Sequence, residues 1–396
     1  MKRVVSIREP ASAGADPRDS VRAMRAHRLL LRFALAAANV FAWIFVFQHF
    51  AAIEGDVQAF ARVILLYALG QSVIALFTPI FARFLRYGAR RWLAIGALFA
   101  ASAYVVLGAV LANSSHEGFR SGAVLFAILL GLYRAAYWIP YETEAGHVGT
   151  TGSNSMREIL IALMPLFAGL YLASSQEGSV WLLYSAAALI ILSVAPLSRL
   201  RDVHERFSWG YRETFAACMA PENRAVMRRA IFEGGAGAAL LLLWPIAVFL
   251  IVGRSFGMLG MILSLTFIIA IVARRYVRRA FRRMKLHDSV MINALLVVSP
   301  WLMRLAVATP LGIVLVDAYF YTTSPKQVGI DSLTFEQSGD AGHYLDEYTA
   351  IKEIGLSFGR IGICIFAASV MLSVSLPIAL MLTFALAGLF SIWSAS

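Results

Sequence analysis

The sequence predicts an all-α integral membrane protein with twelve transmembrane helices in two pseudo-symmetric bundles of six. Three observations lead to this fold class. The 396 residues are 60% hydrophobic and 15% charged, with a mean hydropathy of +0.72, whereas soluble chains carry about a quarter charged residues. The basic residues stand in short stretches between long apolar segments, and one basic stretch occurs twice, about half a chain apart.

This repeated basic stretch comprises residues 83–91 and 275–283, called the first and second arginine segments below. Each follows one long apolar segment and precedes another. Four arginines coincide at one constant offset: Arg83 with Arg275, Arg86 with Arg278, Arg90 with Arg282, and Arg91 with Arg283. A basic linker repeated between matching apolar segments indicates an internal duplication.

A helix needs about 20 apolar residues to cross a hydrocarbon core of about 30 Å. Twelve segments meet this requirement: 29–50, 60–82, 92–112, 121–141, 158–174, 179–197, 230–252, 257–273, 289–308, 310–324, 350–372 and 374–394. The predicted organisation is a polar tail over 1–28, a first bundle over 29–197, a linker over 198–229 and a second bundle over 230–396. The tail lacks an apolar core, so we interpret it as cytoplasmic and not as a cleaved signal.

Lysine and arginine set the orientation. With the N-terminus inside, the inside segments hold 28 of these residues and the outside loops hold two. This asymmetry predicts a multi-pass protein of the inner cell membrane with both termini cytoplasmic. The same distribution of basic residues argues against nucleic acid binding as the explanation of the net charge of +12. Cys218 and Cys364 stand in different settings, so neither a disulfide nor a metal site is expected.

The first arginine segment contains Arg86, Gly88, Arg90 and Arg91 in an order that resembles a loop signature of the major facilitator superfamily. The signature's usual form is Gly, three residues, Asp-Arg, any residue, Gly, then basic residues, and here Leu85 stands where its acid would be. On the basis of this segment and the duplication, the chain resembles this superfamily over essentially its whole length. The resemblance implies alternating access, with gating loops at these four residues and at Arg278, Arg282 and Arg283.

Charged residues within predicted spans usually face a cavity or a partner. Arg134 has Tyr137 beside it, and Trp138 and Tyr141 lie on its helical face, which suits an anionic or ring-bearing ligand. The alternative is an arginine held by Glu142 or Glu158. Apart from that alternative, Glu142, Glu144 and His147 are expected in a solvated loop.

Asp317 lies mid-span with Tyr321 one turn later, and the duplication places it almost opposite Arg134. It is a candidate proton-coupling site, or else the structural partner of Arg304 or Arg360. Arg360 is a substrate contact or half of an ion pair. The candidate cavity residues are Arg134, Tyr137, Trp138, Asn39, Trp244, Asp317, Tyr321 and Arg360. The candidate proton-coupling carboxylates are Asp317, Glu233 and Glu353, although the two glutamates also suit simple helix-dipole compensation.

The predicted function is secondary active transport of a small solute, with protons as the coupling ion by family resemblance. We expect a monomer in the lipid bilayer, with no cofactor and no bound metal. The chain has no phosphate-binding loop, which argues against ATP drive. The alternative is a non-transporting sensor or assembly factor with the same fold. A membrane enzyme is disfavoured, because no nucleophile–base pair stands at membrane depth.

Overall fold

The computed structural model describes residues 17–113, 115–148, 155–175, 177–205, 207–283, 290–323 and 345–395, and these are mostly helical with no strand among them. The first lobe contains six long helices: α1 Pro17–Glu54, α2 Asp56–Arg83, α3 Ala89–Asn113, α4 His116–Val148, α5 Ser155–Ser174 and α6 Gly178–Val194. A short helix, α7 Tyr211–Met219, lies in the linker. We call the end of the bundle that carries this linker the linker face, and the other end the far face.

The second lobe begins with a composite helix that runs through α8 Arg224–Ala238, a π-helical turn Ala239–Leu243 and α9 Trp244–Ile251. Pro245 has no backbone N–H, so it cannot donate to the carbonyl four residues earlier, and the helix widens at that point. The lobe continues with α10 Phe256–Arg283, α11 Val290–Leu305, α12 Pro310–Thr323, α13 Leu345–Met371 and α14 Leu376–Ala395.

These helices confirm the predicted fold class of two packed bundles of apolar helices. Ten of the described helical segments are long and apolar enough to cross a membrane. The ninth and tenth predicted spans correspond to α11 and α12, which have only 16 and 14 residues. Helix α8 starts at Arg224, so the second lobe begins six residues earlier than predicted.

The second arginine segment is not a loop, which corrects the sequence-based expectation. It forms the last turns of α10, which runs unbroken to Arg283. At the corresponding place in the first segment, Gly88 has φ +106° and ends a short 3-10 helix before α3. Ala280 occupies the equivalent position in the second segment. Because a Cβ disfavours positive φ, the chain continues as a helix there.

Helix α1 already begins at Pro17, within the predicted polar tail over 1–28; residues 1–16 lie outside the described part of the chain. His27 explains why this extension is ordered. Its side chain is fully buried, its Nδ1 donates to the Ser193 carbonyl at 2.7 Å, and its Nε2 lies 2.9 Å from the Tyr137 hydroxyl. The first helix is therefore fixed to α4 and α6 before it reaches its apolar stretch.

The most extensive contacts between the two lobes lie along two helix pairs, α2 with α13 and α5 with α10. In the second pair, the backbone N–H of Leu166 donates to the Ser264 hydroxyl at 2.9 Å. Glycine lets the backbones approach at this point, since a Cβ added to Gly260 would overlap the Pro165 carbonyl. Close small-residue contacts of this kind are common between membrane helices.

Within the second lobe, α8 and α13 also approach each other through glycine. A Cβ on Gly359 would overlap the Ile231 carbonyl, and a Cβ on Gly234 would overlap Leu356 of α13. This close approach does not extend to Gly362, where an added Cβ meets nothing within 4 Å.

We expect Gly359→Ala to lower the free energy of unfolding by about 1–3 kcal/mol, because overpacking forces the two backbones apart. Gly362→Ala is the matched control and should leave stability unchanged. The measurement is thermal unfolding of each purified variant in the same detergent. Equal melting temperatures for the two variants would contradict the close approach of α8 and α13.

Candidate functional site

A buried salt bridge joins the two lobes between α4 and α13. The Arg134 guanidinium donates from Nε to Glu353 Oε2 at 2.9 Å and from Nη2 to both carboxylate oxygens at 2.9 and 3.2 Å. The Glu353 side chain is 2% exposed and the Arg134 side chain 13%. Removing one partner of such a pair strands a charge in a medium of low polarity, so the pair holds the lobes together.

Trp138 completes this part of the site from the first lobe. The Arg134 guanidinium carbon lies 5.3 Å from the centre of the Trp138 ring, as the helical spacing predicts. The sequence also proposed Glu142 and Glu158 as alternative partners of Arg134. Glu158 instead binds Arg32 with two hydrogen bonds of 2.8 Å inside the first lobe. Glu353 lies well inside α13, beyond the first turn in which a carboxylate would compensate the helix dipole.

A second polar contact between the lobes lies two turns further along α13. Arg360 Nη1 donates to Gln71 Oε1 of α2 at 3.0 Å, and both side chains are buried. The Ser357 side chain lies between Glu353 and Arg360 on the same helix face. Its hydroxyl is fully buried and has no hydrogen-bond partner within the described residues. We call Arg134, Glu353, Ser357, Arg360 and Gln71 the inter-lobe cluster.

Asp317 belongs to a different cluster, inside the second lobe. Arg304 donates to its Oδ1 from Nε at 3.1 Å and from Nη2 at 2.8 Å, and the Trp244 indole N–H donates to its Oδ2 at 2.8 Å. The Arg304 guanidinium is enclosed by aromatic rings, with ring centres at 4.6 Å for Trp301 and 4.7 Å for Phe320. Of the two partners proposed from the sequence, the structure places Arg304 beside Asp317.

The remaining candidates do not join the inter-lobe cluster in the described structure. Tyr137 contacts His27 as described above, and Asn39 Oδ1 accepts from the Tyr104 hydroxyl at 3.4 Å. The Tyr321 ring packs on Phe267 with ring centres 5.0 Å apart. Glu233 is half-buried near the start of the composite helix. Sequence position could not separate these residues from the cluster, because neighbours on one helix can face different elements.

The first arginine segment is bound by the linker, a contact that the sequence gave no reason to expect. Asp202 Oδ1 accepts from the backbone N–H of Arg90 at 3.0 Å, and Val203 O accepts from the N–H of Ala89 at 2.9 Å. A carboxylate at the start of α3 accepts hydrogen bonds from backbone N–H groups that have no partner within the helix. Its negative charge also interacts favourably with the helix dipole. The linker therefore supplies an acid to a segment that has Leu85 at the signature's acidic position.

Glu144 was expected in a solvated loop, and this expectation is wrong. It lies on α4, which extends to Val148, and its side chain is 1% exposed. Its Oε1 accepts from the backbone N–H of Val203 at 3.1 Å, so the docked linker covers it. The side chains of Arg278 and Arg282 lie outside the described part, whereas Arg91 and Arg283 are exposed.

A further ion pair joins the lobes at the far face. Arg254 Nη2 donates to the two carboxylate oxygens of Asp56 at 2.6 and 2.7 Å. Both side chains remain partly exposed, at 45% and 37%. The turn that carries Arg254 gives it φ +62°, an uncommon backbone conformation for a non-glycine residue. Polar contacts therefore connect the lobes at the far face, at the inter-lobe cluster and along α5 and α10.

The structure is similar to solved membrane transporters over nearly the whole chain. The xylose transporter XylE from E. coli, in a partially occluded inward-open conformation, has a TM-score of 0.62 at 12% identity, covering 96% of each chain. The nucleoside transporter NupG gives 0.61 at 13% identity, covering 94% of this chain and 98% of that one. FucP, a major facilitator superfamily transporter in an outward conformation, gives 0.54 at 14% identity with the same coverages.

No protein-family model and no curated protein matches the sequence. At 12–14% identity the structural similarities establish a shared fold. These solved structures include a partially occluded inward-open conformation and an outward conformation.

We expect Asp317→Asn to lower the free energy of unfolding by about 3–5 kcal/mol, because it leaves the buried Arg304 guanidinium without a counter-charge. Asp56→Asn is the matched control. It removes the partner of an exposed pair, which contributes about 0–1 kcal/mol. Thermal unfolding of both variants in one detergent makes the comparison. A stable Asp317→Asn protein would indicate that Asp317 is not a structural anchor.

Proposed function

We propose that this chain, which has the fold of the major facilitator superfamily, is a secondary active transporter of a small solute. It works by rocking its two lobes around the inter-lobe cluster and is coupled to protons. The observation that carries the proposal is the Arg134–Glu353 salt bridge, because its two halves belong to different lobes. Opening the pathway at the linker face must separate Arg134 from Glu353, and closing it there must bring the two residues together.

The same salt bridge supports Glu353 as the proton-coupling carboxylate. When the lobes separate, a buried carboxylate loses its guanidinium partner, and a proton is the simplest group that neutralises it. Asp317 fits this role less well, because its partners Arg304 and Trp244 belong to its own lobe. A relative movement of the lobes leaves that pair intact.

The structural neighbours supply a first panel of solutes to test. Their descriptions name a xylose transporter, a nucleoside transporter and a peptide transporter. Fluxes of these three solute classes into proteoliposomes, with and without a pH gradient, test the proposal directly. A membrane sensor or assembly factor with this fold would bind a ligand without any flux.

We expect Arg134→Ala and Glu353→Gln to abolish uptake driven by the pH gradient, because each removes half of the contact that closes one end of the pathway. Arg228→Gln is the control, since Arg228 is an exposed residue near the start of α8 outside the inter-lobe cluster. Unchanged transport by Arg134→Ala would remove the inter-lobe cluster from the mechanism.

Spin-label distances measure the lobe movement without knowledge of the substrate. Met156→Cys with Tyr276→Cys labels the linker face, and Ile53→Cys with Leu372→Cys labels the far face, all at exposed positions. Burial raises the pKa of the native Cys218 thiol to about 11, which keeps it unreactive at neutral pH. We expect Glu353→Gln to shift the linker-face distances to longer values. Identical distance distributions in Glu353→Gln and wild type would contradict the proposal that the Arg134–Glu353 salt bridge holds the lobes together.

A further inference from the structure

A small pocket on the linker face contains none of the residues of the inter-lobe cluster. It lies between the first arginine segment and the linker, and we call it the linker pocket. It is lined by Arg83, Arg86, Phe207, Ser208, Trp209 and Gly210. Two of these six residues are cationic and none is anionic, so the lining would attract an anionic group.

The two arginines reach the pocket from the same side. Arg83 ends α2, and Arg86 follows three residues later in the 3-10 helix Phe84–Tyr87, where side chains at that spacing align. Both are exposed, and within the described part of the chain neither forms an ion pair with an acidic residue. Arg86 is held in place by Tyr87, whose hydroxyl accepts from its Nη2 at 2.6 Å.

The acidic residues of the linker and of α13 near the pocket have other hydrogen-bond partners. Glu213 Oε2 accepts from the backbone N–H of Gly210 at 2.6 Å. Glu347 Oε1 accepts from the Ser208 hydroxyl at 2.6 Å and from its N–H at 3.2 Å. These carboxylates accept hydrogen bonds from Ser208 and Gly210 and are not among the lining residues, whereas the two arginines are.

Two aromatic residues of the linker also line the pocket. Phe207 is buried and Trp209 half-buried, with their rings edge to face and the centres 6.0 Å apart. The exposed surface of the pocket is mainly polar, so the arginines determine which ligand it attracts.

We propose that the linker pocket binds a phosphate group. Guanidinium groups bind phosphate through paired N–H donors, and two of them suit a doubly charged group. The pocket lies where α2 emerges from the apolar part of the bundle. The phosphate can therefore come from an anionic lipid headgroup or from a soluble phosphate ester.

An occupant of this pocket would connect the two lobes through the linker. Arg83 and Arg86 belong to the first lobe, whereas Ser208 is hydrogen-bonded to Glu347 near the start of α13 in the second lobe. A ligand that contacts both walls stabilises the arrangement in which Arg134 and Glu353 meet. The linker pocket is thus a regulatory site that favours a closed linker face.

The test uses the full-length protein in phosphatidylcholine nanodiscs. One arm adds glycerol 3-phosphate to the buffer, at an ionic strength kept constant with sodium chloride. The other replaces part of the phosphatidylcholine with phosphatidic acid. The readouts are the melting temperature and the linker-face distance between labels at Met156→Cys and Tyr276→Cys.

We expect stabilisation and a shorter linker-face distance in at least one arm, and the responding arm identifies the source of the phosphate. Arg83→Ala and Arg86→Ala should each weaken the response about tenfold or more, as expected when a hydrogen bond to a charged group is lost. Arg228→Ala, an exposed arginine outside the pocket, should respond like wild type. No response in either arm, or equal responses in wild type, Arg83→Ala and Arg86→Ala, would overturn the proposal.

Discussion

The buried salt bridge between Arg134 and Glu353 is the contact on which the relation of the two lobes depends. Each group is energetically acceptable inside the bundle because the other neutralises it. Separation of the lobes at this level would require a solvent molecule, a proton or a ligand to take the place of one partner. The proposed rocking mechanism requires a contact that can form and break in this way. The exposed Asp56–Arg254 pair at the far face is easier to break, because water can solvate its charges.

The second buried pair has a different physical meaning, although its chemistry is the same. Arg304 and Asp317 lie on the adjacent helices α11 and α12, and aromatic rings surround the guanidinium. Rigid-body movement of the second lobe carries both residues together. The partner of an intramembrane charge must therefore be known before a function is inferred for it. A pair inside one lobe anchors its helices, whereas a pair between lobes is able to couple their movement.

The linker takes part in the packing of the first lobe. Its residues Asp202 and Val203 bind the start of α3, and Glu144 binds Val203 from beneath. The first arginine segment turns sharply at Gly88, and the second continues as a helix through Ala280. The exchange of Gly88 for Ala280 contributes to the different structures of the two copies, and the first copy lines a pocket shared with the linker.

The sequence by itself determined the helical membrane fold and the positions of most helices, because apolar length and the placement of basic residues are local properties. It also identified Arg134, Asp317 and Arg360 as unusual charges and placed Trp138 beside Arg134. Only the tertiary structure decided their partners. Glu353 lies 219 residues from Arg134, and Gln71 lies 289 residues from Arg360. Pairing over such separations depends on how two lobes pack, which no local pattern of residues encodes.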